Sequence, residues 1–162
     1  MARADDLHTL LEELGLAGVE YVLVGGMAAV LHGAPITTLD IDIVHRRTED
    51  NVARLLGVLE RHGAHYRGQP KGRALAPTKA ALLGSGHHNL STDLGPIDVL
   101  GALVGDVGYD ALAEDAETRT EGNLSIHIVS LRGLIEIKTR TNRAKDRLSL
   151  PILIALLDQK KI

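Results

Sequence analysis

Tyr21-Val22-Leu23-Val24-Gly25-Gly26, followed thirteen residues later by Asp40-Ile41-Asp42-Ile43, is the stretch that decides how this 162-residue chain folds. The apolar run reads as a short strand over Glu20–Val24, broken by the glycine pair. Met27–His32 then has room for a helix that stops at Gly33-Ala34-Pro35, and Leu39–His45 reads as a second strand. Residues two apart on a strand point to the same face, about 6.6 Å apart. Asp40 and Asp42 are therefore expected to project together, with Ile41 and Ile43 turned to the core. Two carboxylates that close repel unless a proton or a cation lies between them. Hard oxygen ligands in this arrangement suit Mg²⁺, which takes one or two carboxylates together with substrate phosphates.

A third carboxylate stands in a similar setting, Pro96-Ile97-Asp98-Val99-Leu100. Asp is disfavoured inside strands, so both placements ask for a reason. Three such carboxylates on neighbouring strands could hold two Mg²⁺ ions about 4 Å apart, an arrangement suited to in-line displacement at phosphorus. A glycine pair between a strand and a helix lets backbone amides approach a phosphate at the helix N-terminus. Alone, Gly25-Gly26 or Asp40-x-Asp42 is weak evidence, the one being a common turn and the other a common solvated edge. In this order, with a later Asp flanked by apolar residues, the combination is specific.

Outward from this centre, residues 3–15 read as an amphipathic helix on Leu7, Leu10, Leu11 and Leu14. Thr48 caps a helix over 49–62, with Val52, Leu55, Leu56 and Leu59 as its buried stripe. Ala64–Arg67 reads as a strand, Gly68–Gly72 as a loop and Pro77–Leu83 as a helical stretch. Asn89–Asp93 and Ile97–Leu100 read as strands joined by a turn at Leu94-Gly95-Pro96. Tyr109–Asp115 is a short helix, and Glu117–Thr120 and Leu124–Val129 flank a hairpin turn at Gly122-Asn123. Ser130 caps a helix over Leu131–Thr141, and a last helix runs over Ala144–Lys160, with Pro151 inside it as a source of a kink. The expectation is one α/β domain over 1–162, a mixed sheet flanked by helices with a helical C-terminus.

The pattern resembles the nucleotidyltransferase superfamily that includes DNA polymerase β. That family carries an apolar residue, Gly, then Gly or Ser, a helix, and Asp-apolar-Asp/Glu-apolar, and Val24, Gly25, Gly26, Asp40, Ile41, Asp42 and Ile43 match it in order. Asp98 looks like the family's third carboxylate. Thr38-Leu39-Asp40-Ile41-Asp42, together with Ile137-Lys138 and Arg143-Ala144-Lys145-Asp146, resembles the branch of AbiEii-type toxins and their bacterial relatives. The resemblance spans about residues 19–158. It implies a nucleotidyltransferase fold and transfer of a nucleoside monophosphate from an NTP to a hydroxyl, with release of pyrophosphate. It also implies that Asp40 and Asp42 hold two Mg²⁺ ions and that Asp98 completes the site and can take the hydroxyl proton. Gly25 and Gly26 would then cradle the phosphates. Lys138 and Asp146 would belong to the nucleotide site, with Lys145 the alternative to Lys138. The acceptor stays open among RNA, a protein and a small molecule, and a cognate antitoxin is a candidate partner. A small-molecule (antibiotic) nucleotidyltransferase and an idle antitoxin-like interaction module are the rival readings.

Blander roles stand beside several of these. Lys138 and Arg140 suit an exposed helix face, and Asp146 suits a cap on the last helix. His87-His88 suits a solvated loop, and His32 and His45 suit structural places. Composition narrows the classes further. The chain has no Cys, which excludes disulfides, zinc-thiolate sites and a cysteine nucleophile. Aromatics are 2%, too few for a surface that stacks several bases. The net charge is −3, which argues against a simple polyanion binder. Charge is nevertheless segregated. No Asp or Glu lies between Arg61 and Thr92, while Arg67, Lys71, Arg73 and Lys79 do, and basic residues return at Lys138, Arg140, Arg143, Lys145 and Arg147. These two segments could converge on a polyphosphate. No apolar run is long enough to span a membrane and the N-terminus has no apolar signal core, so a cytoplasmic protein without membrane contact is expected.

Overall fold

The computed structural model describes residues 4–70 and 72–160; Arg3, expected at the start of the first helix, and Lys71 of the basic segment lie outside them. Its centre is built from the stretch quoted first. β1 (Tyr21–Val24) and β2 (Ile41–His45) pair antiparallel, with Val24 opposite Asp42. Between them α2 (Gly25–Leu31) begins at the glycine pair itself rather than after it. Gly25 starts this helix at φ +71°, a left-handed conformation that glycine adopts without a Cβ penalty.

Seven strands form one mixed sheet in the order β3-β4-β5-β2-β1-β7-β6. β4 (His87–Thr92) and β5 (Gly95–Leu100) make an antiparallel hairpin, and β5 lies parallel to β2. β7 (Leu124–Ile128) lies parallel to β1 and pairs antiparallel with β6 (Glu117–Glu121). The edge strand β3 (His65–Tyr66) pairs with β4. The parallel joins rule out a simple meander, and the antiparallel ones rule out a strictly alternating fold.

Alternation along the central strands divides the sheet's two faces. Ile41, Ile43, Ile97, Val99 and Leu90 are completely buried, while Asp42 and Asp98 sit on the opposite, half-open face. α1 (Ala4–Leu16) and α3 (Glu49–Arg61) carry the leucine and valine stripes that their spacing foretold, and they pack against each other. Thr48 caps α3 by accepting a bond from the Asn51 amide. α4 (Lys79–Leu83) follows its own cap, Thr78. α5 (Tyr109–Ala113) precedes β6. α6 (Leu131–Thr141), capped by Ser130, packs on α2 and on α7 (Ala144–Lys160), which is assigned as one helix through Pro151. Among the described residues no helix is long and apolar enough to cross a membrane.

Two expectations fail locally. β2 begins at Ile41, so Asp40 lies just before the strand and is exposed. β4 begins at His87, not at Asn89, so the two histidines are strand residues rather than a solvated loop. His88 is buried and its Nδ1 shares a 2.7 Å hydrogen bond with the Tyr66 hydroxyl. Pairing with β5 across a long hairpin favours the extended form that two consecutive histidines do not themselves announce.

Candidate functional site

Strand register sets out a row of side chains across the sheet. Val24 on β1, Asp42 on β2, Asp98 on β5 and Asn89 on β4 are successive neighbours on the half-open face. Asp42 and Asp98 are therefore side by side, and like charges so placed oppose pairing. The Asp42 carboxyl is pushed up from 3.8 to about 7. Burial is the largest cause, followed by the hydrogen bond to Asp98 and by the negative charges of Asp98 and Asp40; the positive charge of Lys145 pulls the other way. Asp98 is itself held by an ion pair with the Arg67 guanidinium.

Gly25 belongs to this geometry for a steric reason. A Cβ there would come within 1.9 Å of Asp42 Oδ2, so only glycine lets the carboxylate lie on the strand-to-helix turn. Gly26 is less constrained, with its nearest contact 3.1 Å from Thr38 Oγ1.

Across the cleft stands the junction of α6 and α7. Asn142 ends α6 in the left-handed conformation, and Arg143 leads into the next helix. Asp146, wholly buried, fastens the two. Its Oδ2 accepts from Thr141 Oγ1 at 2.8 Å, from the Arg143 amide at 3.1 Å and from Arg143 Nε at 3.0 Å. Lys138 Nζ lies 3.4 Å from its Oδ1. Burial alone would raise this carboxyl, but the bonds from Thr141 and Arg143 and the arginine's charge outweigh it and hold it well below the usual carboxylate range. A carboxylate three residues into a helix that reaches back to the amide before it is one half of a capping box. Asp146 thus serves as the cap of α7 and also lines the cleft.

The cleft itself, about 510 Å³, is lined by Gly25, Asp42 and Asp98 on the sheet side and by Lys138, Lys145 and Asp146 on the helical side. Most of the residues expected to form a site thus meet in one place, and Lys145, the alternative to Lys138, is there with them. Asp40 is not among the lining residues; it opens onto a neighbouring groove with Arg67, and its influence on Asp42 is electrostatic. Among the described residues no group of three or more His, Asp or Glu side chains is arranged to hold a metal ion. Two carboxylates are so arranged as to want one, because a shared proton is the alternative to a cation between Asp42 and Asp98. The pair is all oxygen, which fits Mg²⁺ rather than a softer metal.

Sequence reading does not place Asn89 or His87 in the site, yet both line this cleft, as does Arg140 of the second basic segment. For Asn89 and His87 the only signal is cross-strand register. His87 is anchored by its Nε2 to the Ala102 carbonyl at 2.7 Å. His32 and His45 are structural, as expected: His32 Nε2 meets the Val129 carbonyl and His45 Nε2 the Leu82 carbonyl, each at 2.7 Å.

No protein-family model matches the chain, and no curated protein does. Among solved structures it is similar to a protein of Thermotoga maritima provisionally named a nucleotidyltransferase, at 16% identity, over 96% of both chains and with a TM-score of 0.59. The fold is therefore a nucleotidyltransferase-like fold.

Proposed function

We propose that this chain is a Mg²⁺-dependent nucleotidyltransferase. The observation that carries this reading is the meeting of Gly25, the Asp42–Asp98 pair and a basic helical junction in one cleft. In the reaction, an acceptor hydroxyl oxygen bonds to the α-phosphorus of an NTP, the bond to the bridging oxygen of the β-phosphate breaks, and pyrophosphate leaves. Asp42 and Asp98 would hold the divalent cation, with the charge of Asp40 adding to theirs. When bound, Mg²⁺ offsets phosphate charge and orients the reacting oxygens. The hydroxyl proton passes to the carboxylate pair, Asp98 being the acceptor proposed here.

Phosphate charge is met from the helical side. Lys138 is engaged with Asp146, whereas Lys145 has no ion pair among the described residues and already acts on Asp42. Lys145 is thus the more available phosphate partner, and Lys138 supports it. Gly25 lines the cleft, and its lack of a side chain lets the Asp42 carboxylate lie against the backbone there. The rate gain then comes from positioning and charge complementarity. Incubating the protein with Mg²⁺, each α-labelled NTP and total RNA, total protein or small hydroxyl compounds tests this. Label should move to one acceptor class in the wild type and fall at least about a hundredfold in Asp42→Asn, since two powers of ten need only ~2.7 kcal/mol. Absence of transfer to every class would refute it.

A further inference from the structure

Next to the cleft lies a second cavity of about 250 Å³. The two share Leu103, Val104, Ile137 and Arg140 among their lining residues, so they lie side by side. The chemistry of the two spaces differs. The cleft has Lys138, Arg143 and Lys145 along its helical side. The second cavity has aliphatic walls, including Val107, Leu112 and Val129, and two carboxylates, Asp115 and Glu136, at its polar edge. Asp115 Oδ2 accepts from the Ser130 hydroxyl at 2.7 Å, and Glu136 Oε1 accepts from Arg140 Nη2 at 3.1 Å. Among the described residues, these bonds leave each carboxylate a second oxygen able to accept from a ligand.

We infer that this cavity receives the nucleobase of the NTP and selects bases that carry an exocyclic amine. The inference rests on the nucleotidyl-transfer reading and assigns the orientation of its substrate. Lys138, Arg143 and Lys145 attract phosphates to the cleft, whereas the second cavity offers Asp115 and a Glu136 already paired with Arg140, so the triphosphate end lies beside Asp42 and the uncharged end is directed toward the adjoining cavity. A flat, weakly polar ring suits aliphatic walls. Carboxylates accept from an amine N–H but repel a carbonyl oxygen at the same ring position, and a site that pairs with such a group discriminates against the analogue lacking it. Arg140, at the seam, is placed beside the sugar or the α-phosphate.

The test measures binding by titration calorimetry with Mg²⁺ and no acceptor, using the matched pairs CTP and UTP, and ATP and ITP, with inorganic tripolyphosphate as the base-free probe. The amine-bearing member of at least one pair should bind at least about tenfold more tightly, the scale of one charged hydrogen bond. The double substitution Asp115→Asn with Glu136→Gln should abolish that preference and leave tripolyphosphate binding unchanged. Ala111→Trp, at an exposed position on the cavity wall, should weaken every nucleotide but not tripolyphosphate. Equal affinity within both pairs, with nucleotides and tripolyphosphate all binding, would overturn the inference and leave the nucleotidyltransferase reading standing. If neither nucleotides nor tripolyphosphate bind, the underlying reading fails and takes the inference with it.

Discussion

Asp42→Asn should make the protein more stable at pH 8 and leave it nearly unchanged at pH 4. The folded state raises this carboxyl from 3.8 to about 7, so between those values it holds a proton that the unfolded chain has released. Stability therefore falls as pH rises from about 4 to about 7, and is level above that. A rise of this size corresponds to about 4 kcal/mol at 1.36 kcal/mol per pKa unit. The cleft is open to water, and screening brings the expected effect to about 2 kcal/mol. For a domain of this size that is about 4–8 °C in Tm. An asparagine side chain is neutral at every pH, so the difference between wild type and variant isolates the one carboxyl. Thermal melts at half-unit intervals from pH 4 to 8 should show the two curves diverging through this range. Mg²⁺ at pH 8 should close the gap by raising the wild type alone. Parallel curves, or an equal Mg²⁺ effect on both proteins, would refute the claim that Asp42 and Asp98 form a strained acidic pair.

Other substitutions separate stability from binding. Asp146→Ala should cost about 2–3 kcal/mol in chemical denaturation, because it removes the α7 cap and the clamp on Thr141 and Arg143. The low-lying carboxyl of Asp146 contributes stability that is complete above the ordinary carboxylate range and is lost as pH falls from that range to the depressed folded-state value below it, so the melts of the wild type and of the Asp146→Ala variant should converge in strong acid. Lys145→Ala should weaken NTP binding by about 1–3 kcal/mol in calorimetry with little change in Tm, while Lys138→Ala should show the smaller loss of affinity and a measurable loss of stability. Gly25→Ala should lower stability by about 3 kcal/mol, combining a left-handed residue with a clash against Asp42, and should abolish transfer.

The parts of this site that are legible in the sequence are those whose meaning is local. Val24-Gly25-Gly26 and Asp40-Ile41-Asp42-Ile43 announce themselves because apolar and polar positions alternate within one strand or break at one turn. Asp98 is conspicuous for the same reason, being a charge inside an apolar strand. Position along the strand is less secure. Asp40 falls one residue outside β2 and lines a neighbouring groove rather than the cleft, while its charge still acts on Asp42. Arg67, Asn89 and His87 reach the site through pairing between distant strands, and no spacing within the chain encodes that register. Asp146 shows a different limit. Capping and cleft lining read as rival roles in the sequence, and the structure assigns both, because the α6–α7 junction is itself one wall of the cleft.

The central claim is that this cleft breaks the bond between the α- and β-phosphates of an NTP. Parallel reactions with α-labelled and γ-labelled nucleotide, Mg²⁺ and the responsive acceptor class test it most directly. The account predicts that α-label becomes covalently attached to the acceptor, that γ-label is released only as pyrophosphate, and that Asp42→Asn abolishes both. Transfer of the γ-label to an acceptor, or release of the γ-label as orthophosphate without any attachment of the α-label, would contradict it.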